Sequence, residues 1–133
     1  MFSNTIQLRV RYSETDQMGF VYYGNYASYF EVARVETLRA SGITYRELEE
    51  QGILLPVREF SIRYIQPARY DDIVDITTTI TELPSTRIRF DYQTFVQGQL
   101  INTAMTELVF VEQQTGKPMR CPEVVTRALI AHF

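Results

Sequence analysis

Tryptophan is absent from this sequence, and cysteine and histidine occur once each, as Cys121 and His132. A single cysteine excludes an internal disulfide and fits a reducing compartment. Four soft ligands for a Cys/His zinc site do not exist, so no metal is expected. A Ser-His-Asp or Cys-His centre would have to use His132, close to a chain end that holds a base poorly. There is no basic excess either: 13 Lys and Arg stand against 16 Asp and Glu, a net charge of -3, where a nucleic-acid binder normally carries a basic face. No apolar run approaches the ~20 residues of a membrane helix. The start "MFSNTIQLRV" lacks the basic head and apolar core of a secretory signal, so a cytoplasmic protein is expected. With 133 residues and no repeat, linker or low-complexity tract, one domain over 1–133 is expected.

What is present is strongly patterned. "TIQLRVRY" alternates, with Ile6, Leu8, Val10 and Tyr12 on one face and Gln7, Arg9 and Arg11 on the other, the period of a half-buried strand. A loop over 13–22 holds Glu14, Asp16 and Gly19. From Tyr23 to about Ala40 the period becomes helical, with Tyr26, Tyr29, Phe30, Ala33, Thr37 and Ala40 in one stripe. Other apolar residues outside that stripe predict burial on more than one flank, and Gly42 suits the carboxyl cap. Thr44 and Glu47 form a capping box for a short helix reaching Gly52. Strands are then expected at Leu55–Gln66, Ile73–Leu83, Thr86–Val96 and Leu100–Glu112, in hairpin succession across the turns "LPS" and "QGQ". "QTGKP" breaks the last strand, and Pro122 opens a short terminal helix. The order of elements gives an α+β class, a long antiparallel sheet wrapped round a long helix.

One stretch carries chemistry. "YSETDQMGFVYYGNYASYFEVAR" runs Asp16, Gly19, Phe20, Val21, Tyr22, Asn25, Tyr26, then Glu31, Ala33 and Arg34 on the helix. It resembles the signature of hotdog-fold acyl-CoA thioesterases of the 4-hydroxybenzoyl-CoA thioesterase family, in particular the branch that includes the Tol-Pal-associated thioesterases. "FSIRYIQPARYDDIVDITT", with Pro67, Asp71 and Asp72, resembles a second part of the same family. The resemblance implies a sheet wrapped round the helix and homodimers or homotetramers. It also implies an acyl-CoA substrate, with coenzyme A as part of that substrate and no separate cofactor. Many members of the Tol-Pal-associated branch carry histidine at the position of Tyr23; this chain does not, which removes any histidine role there.

The residues suit that chemistry. Thiolate is a good leaving group, with a thiol pKa of about 8.5 on the cysteine scale, so a strong general acid is not essential. Asp16 is the expected carboxylate, as nucleophile or as general base for water. The first N–H groups of a helix lack intrahelical partners and carry partial positive charge, which makes the backbone N–H of Tyr23 or Gly24 the expected oxyanion donor. The resemblance assigns the Tyr23 amide that part. Gly19, Val21, Tyr22, Asn25 and Tyr26 are expected around the substrate, Asn25 in a supporting role through the backbone. Asp16 also suits an N-cap or Asx turn. Glu14, two residues away in an extended segment, should face the opposite side. Glu31 is expected to pair with Arg34 at i, i+3. Hydrolysis of acyl groups on an acyl carrier protein and a non-catalytic acyl-CoA-binding module are the alternatives.

Overall fold

The alternation at the amino end builds β1, Phe2–Arg9, in a computed structural model that describes residues 1–133. Ile6 and Leu8 turn inward as the period predicts, and the residues between them face solvent. Tyr12 does not share that face. Val10 N–H leaves the ladder to bond the Asp72 carbonyl at 2.9 Å, the chain tightens into a 3-10 turn at Tyr12–Glu14, and Tyr12 is exposed.

The helical stripe becomes α1, Asn25–Ser41, which buries Tyr26, Tyr29, Phe30, Ala33 and Thr37 together with Arg34 and Leu38. Gly42 closes it at φ 107°, its N–H bonded to the Arg39 and Leu38 carbonyls, the left-handed cap glycine adopts without strain. Ala40 and Val32 are exposed, so the helix is covered on one broad side rather than several. The capping box forms as expected: Thr44 Oγ1 accepts from Glu47 N–H, and Glu47 accepts from Thr44 N–H, at the head of α2, Tyr45–Glu50.

The strands are β2 (Ile53–Leu54), β3 (Val57–Tyr64), β4 (Ile73–Ile80), β5 (Arg87–Val96), β6 (Gln99–Val109) and β7 (Val111–Glu112), followed by α3 (Glu123–Ile130). β4, β5 and β6 are antiparallel neighbours through the two expected turns. Hairpin succession fails at β3. The sheet order is β1-β4-β5-β6-β3, so β3 pairs with β6 at the far edge and never meets β4. The segment between them, with Pro67 and with Asp71 at φ 69°, crosses past the 20–21 loop instead of turning back. It is tied down by Val21 N–H on the Ala68 carbonyl and by Asp71 N–H on the Val10 carbonyl. The expected final strand also divides, because β7 leaves the main sheet to pair with β2.

α1 lies across the covered face. It packs against β1 and β4, Phe30 stacks on Tyr92 of β5 at 4.4 Å between ring centroids, and Tyr26 meets Tyr64 of β3 edge-on at 5.8 Å. A curved antiparallel sheet holding one long helix is the hotdog arrangement. Phe30, Phe90 and Phe110 are fully buried, each contributing about 1.5–3 kcal/mol by leaving water. The outer face carries Ser3–Thr79 and Thr5–Thr77 hydroxyl pairs and exposed ion pairs of Arg58 and Arg87 with Glu107, which add little stability. No helix is long and apolar enough to cross a membrane.

Candidate active site

The Asp16 loop is a tight hairpin. Thr15 bridges Val21, Asp16 N–H bonds the Phe20 carbonyl at 2.9 Å, and Gly19 N–H returns to the Asp16 carbonyl at 2.9 Å. Gly19 sits at φ 79°, the left-handed residue such a three-residue loop requires. Asp16 Oδ1 accepts from Met18 N–H at 3.0 Å and from Phe20 N–H at 3.4 Å, so the carboxylate does form an Asx-type turn. Its other oxygen, Oδ2, has no protein donor and stays available. Turn residue and reactive acid are therefore compatible roles, one for each oxygen.

Behind this loop a second carboxylate acts as a clamp. Glu14 Oε1 accepts from Arg11 N–H at 2.8 Å and from the Tyr29 hydroxyl at 2.9 Å, and Oε2 meets the Arg11 guanidinium at 3.1 Å. Burial works against the charged form, yet the bonds from Arg11 N–H, Tyr29 and the guanidinium together hold the carboxyl below its ordinary value. The Glu14 carbonyl accepts from Tyr22 N–H at 2.9 Å and from Asn25 Nδ2 at 2.8 Å, fixing the entry to α1. Glu14 does lie off the pocket, but in a 3-10 turn rather than the extended segment expected.

At the start of α1, Asn25 N–H bonds the Tyr22 carbonyl and Tyr26 N–H the Tyr23 carbonyl, while the N–H groups of Tyr23 and Gly24 donate to no protein acceptor. They sit at the positive end of the helix dipole. Gly24 has an ordinary helical φ of -67°; what forbids a side chain is space, because a β-carbon would stand 2.8 Å from the Tyr22 ring.

Asp16, Tyr23, Val21 and Tyr26 meet on one pocket of about 260 Å³, completed by Met18, Phe20 and the 64–67 segment. The expected Gly19, Tyr22, Gly24 and Asn25 do not line it: Gly19 turns the loop, Tyr22 packs on Gly24, and Asn25 holds the Glu14 carbonyl. Sequence reasoning missed Tyr64, Ile65, Gln66 and Pro67 as a wall, though Pro67 marks the crossing that brings them there. Tyr64 hydroxyl donates to the Tyr23 carbonyl at 3.4 Å, and Arg69 lays its guanidinium 4.8 Å over the Phe20 ring at the rim. Burial pushes the Tyr26 phenol up to about 12, and burial with Glu14 raises Tyr29, so neither is a base near neutrality. Among the pocket's side chains, Asp16 alone is a carboxylate.

The expected Glu31–Arg34 pair is not formed. Arg34 turns inward, is buried, and donates to the Tyr45 hydroxyl at 3.1 Å, while Glu31 stays exposed without an ion pair. His132 packs its ring on Phe2 at 4.4 Å and Cys121 lies against Thr126, neither on the pocket.

Known proteins share this architecture and sequence. The chain is 32% identical to the acyl-CoA thioester hydrolase YbgC of Escherichia coli O6:H1, over 95% of this chain and 92% of that protein. It superposes on the DHNA-CoA thioesterase of Staphylococcus aureus with a TM-score of 0.94 at 32% identity, covering 99% of this chain and 91% of that one. A 4-hydroxybenzoyl CoA thioesterase mutant complexed with 4-hydroxybenzoyl CoA shares the fold, with a TM-score of 0.87 at 22% identity over 96% of this chain and 99% of that one. The model of the thioesterase-like superfamily matches residues 10–129, and the chain belongs to that family.

Proposed function

We propose that this chain is a thioester hydrolase that cleaves acyl-CoA to free acid and coenzyme A. One observation carries the reading: a carboxylate with a free oxygen, Asp16, shares a pocket with Tyr23, whose N–H, like that of Gly24, has no protein acceptor. The acyl group enters among Val21, Tyr26 and Tyr64. The thioester oxygen turns to the Tyr23 and Gly24 amides, which stabilise the charge that develops on it. Asp16 either attacks the carbonyl, forming a mixed anhydride that water then cleaves, or takes a proton from an attacking water. Thiolate leaves without needing a strong acid, and the reaction uses no resident metal or redox cofactor.

The enzyme works in the cytoplasm as a homo-oligomer. β3 is an edge strand whose second side pairs with nothing in the chain; Val57, Phe60 and Tyr64 along it, and Ile65 just beyond it, are exposed. A second copy laid edge to edge at β3 covers those side chains and closes the open side of the pocket.

The test is thiol release from a panel of acyl-CoAs and the matching acyl carrier protein thioesters, comparing wild type with Asp16→Asn. Turnover of CoA esters that collapses in the variant is expected. Full turnover in Asp16→Asn would remove Asp16 from the mechanism, tight acyl-CoA binding without turnover would make the chain a binding module, and preference for the protein-borne thioester would change the carrier.

A further inference from the structure

The covered face of the sheet has one polar break. Asn102 on β6 is fully buried, and neither its Nδ2 nor its Oδ1 meets a partner among the protein's own groups. Thr94 on β5 and Thr78 on β4 are equally buried, and neither hydroxyl is partnered. Thr94 stands directly opposite Asn102 in the β5–β6 ladder. Thr78, opposite Tyr92, is the diagonal neighbour of Thr94 on the same buried face. Other polar side chains of the interior are satisfied: the Tyr92 and Thr106 hydroxyls bond each other at 2.6 Å, and Thr37 bonds the Ala33 carbonyl at 2.7 Å. The unpartnered atoms are gathered in one place, and folded interiors seldom leave such groups unsatisfied.

That place adjoins the pocket. Asn102 is opposite Tyr64 in the β3–β6 ladder, and Tyr64 lines the pocket. The preceding carbonyl, of Ile101, accepts the N–H groups of Ile65 at 2.8 Å and Gln66 at 3.0 Å, two more lining residues. An irregularity in register beside Thr94 turns Ile101 and Asn102 inward together, and both are buried. The amide therefore lies one layer behind the wall at 64–66.

The donor set selects the occupant. An amide offers one acceptor and one donor side by side, and threonine hydroxyls rotate to serve as either. A hydroxyl oxygen, which donates once and accepts twice, serves both amide atoms and one threonine hydroxyl together, whereas an ammonium or a carboxylate meets only one atom of the amide.

We propose that Asn102, Thr94 and Thr78 form a hydroxyl-binding site behind the inner wall of the pocket, filled by an ordered water or by a hydroxyl group on the acyl part of the substrate. The second source rests on the thioesterase reading; the first does not.

Crystals of the wild type, free and with bound product acid, are compared with crystals of Asn102→Leu. Kinetics are run on acyl-CoA pairs differing by one hydroxyl, such as hexanoyl and 6-hydroxyhexanoyl. An oxygen within roughly 3.2 Å of both amide atoms of Asn102, lost in the variant, is the expected result. If it belongs to water, kcat/KM for both members of a pair changes by the same factor. If it belongs to the acyl group, the hydroxylated member alone loses about tenfold or more. No oxygen at the amide in either wild-type crystal overturns the proposal. Should Asn102→Leu fail to fold, the isosteric Thr94→Val carries the same measurements. A wild type that cleaves neither member of any pair defeats the thioesterase reading instead, and the crystals still decide the site.

Discussion

Glu14 and Asp16 are two carboxylates separated by one residue, and the fold treats them oppositely. Glu14 spends both oxygens on protein donors, Arg11 and Tyr29, and its charge is held by the structure around it. Asp16, which lines a pocket, spends one oxygen on its own loop and leaves the other without a protein donor. A fully bonded carboxylate stabilises the fold but has no lone pair left for chemistry; a half-bonded one is positioned and still reactive. The clamp also supports the half-bonded carboxylate, because Glu14 orders the turn from which the Asp16 loop departs and, through its carbonyl, the residues that begin α1.

Substitutions sharpen this contrast. The largest effect is expected from Asp16→Asn, which retains the Oδ1 acceptor and removes the charge: turnover should fall about 10²–10⁴-fold with the melting temperature nearly unchanged. Equal losses of stability and rate would make Asp16 a turn residue only. Glu14→Gln should do the reverse, costing about 1.5–3 kcal/mol of stability in denaturant titrations because charge-assisted bonds are lost. The pH dependence has a definite sign. Since the folded-state pKa of Glu14 is depressed, its contribution is present above the unfolded value, about 4.3, and disappears as pH falls through the lower folded value. The stability gap between wild type and Glu14→Gln should thus be constant near neutrality and narrow in acid; a gap that widens in acid would contradict the clamp. Gly24→Ala pushes a β-carbon against the Tyr22 ring, and kcat should fall about tenfold as the helix entrance shifts, a loss that Gly24→Ala with Tyr22→Ala partly restores. The smallest change is expected from Tyr29→Phe, about 1 kcal/mol of stability with activity retained, measured by thermal unfolding and steady-state rates.

Much of this was legible in the sequence because the periods are clean. The alternation of Ile6 and Leu8, the helical stripe from Tyr26 to Thr37, the Thr44–Glu47 box and the Gly42 cap are local signals, and each formed as read. The position of β3 was not legible. Local pattern gives a strand but not its neighbour, and only the contacts of the 65–72 crossing send it to β6. The same limit hid the pocket wall at 64–67, which reaches Asp16 only through that crossing. Arg34 escaped for another reason: helical spacing offers Glu31 as a partner, but burial against Tyr45 draws the guanidinium inward. The motif named Asp16, Val21, Tyr23 and Tyr26, which do line one pocket, while the unequal bonding of the two Asp16 oxygens needed coordinates.

The irregular pairing beside Thr94 has a consequence for how such a chain tolerates changes in length. The β5–β6 hairpin turns at Gln97 and Gly98, both at positive φ, and a residue added at that tip alters only a solvent-facing turn. Deleting Ile101 instead would let the two strands pair evenly and the hairpin would still close. It would also shift the backbone that presents a carbonyl to Ile65 and Gln66, and the pocket wall would be displaced through an edit made outside the pocket. Insertions and deletions a few positions apart in one hairpin should thus have opposite fates, neutral at the tip and inactivating at the irregular pair.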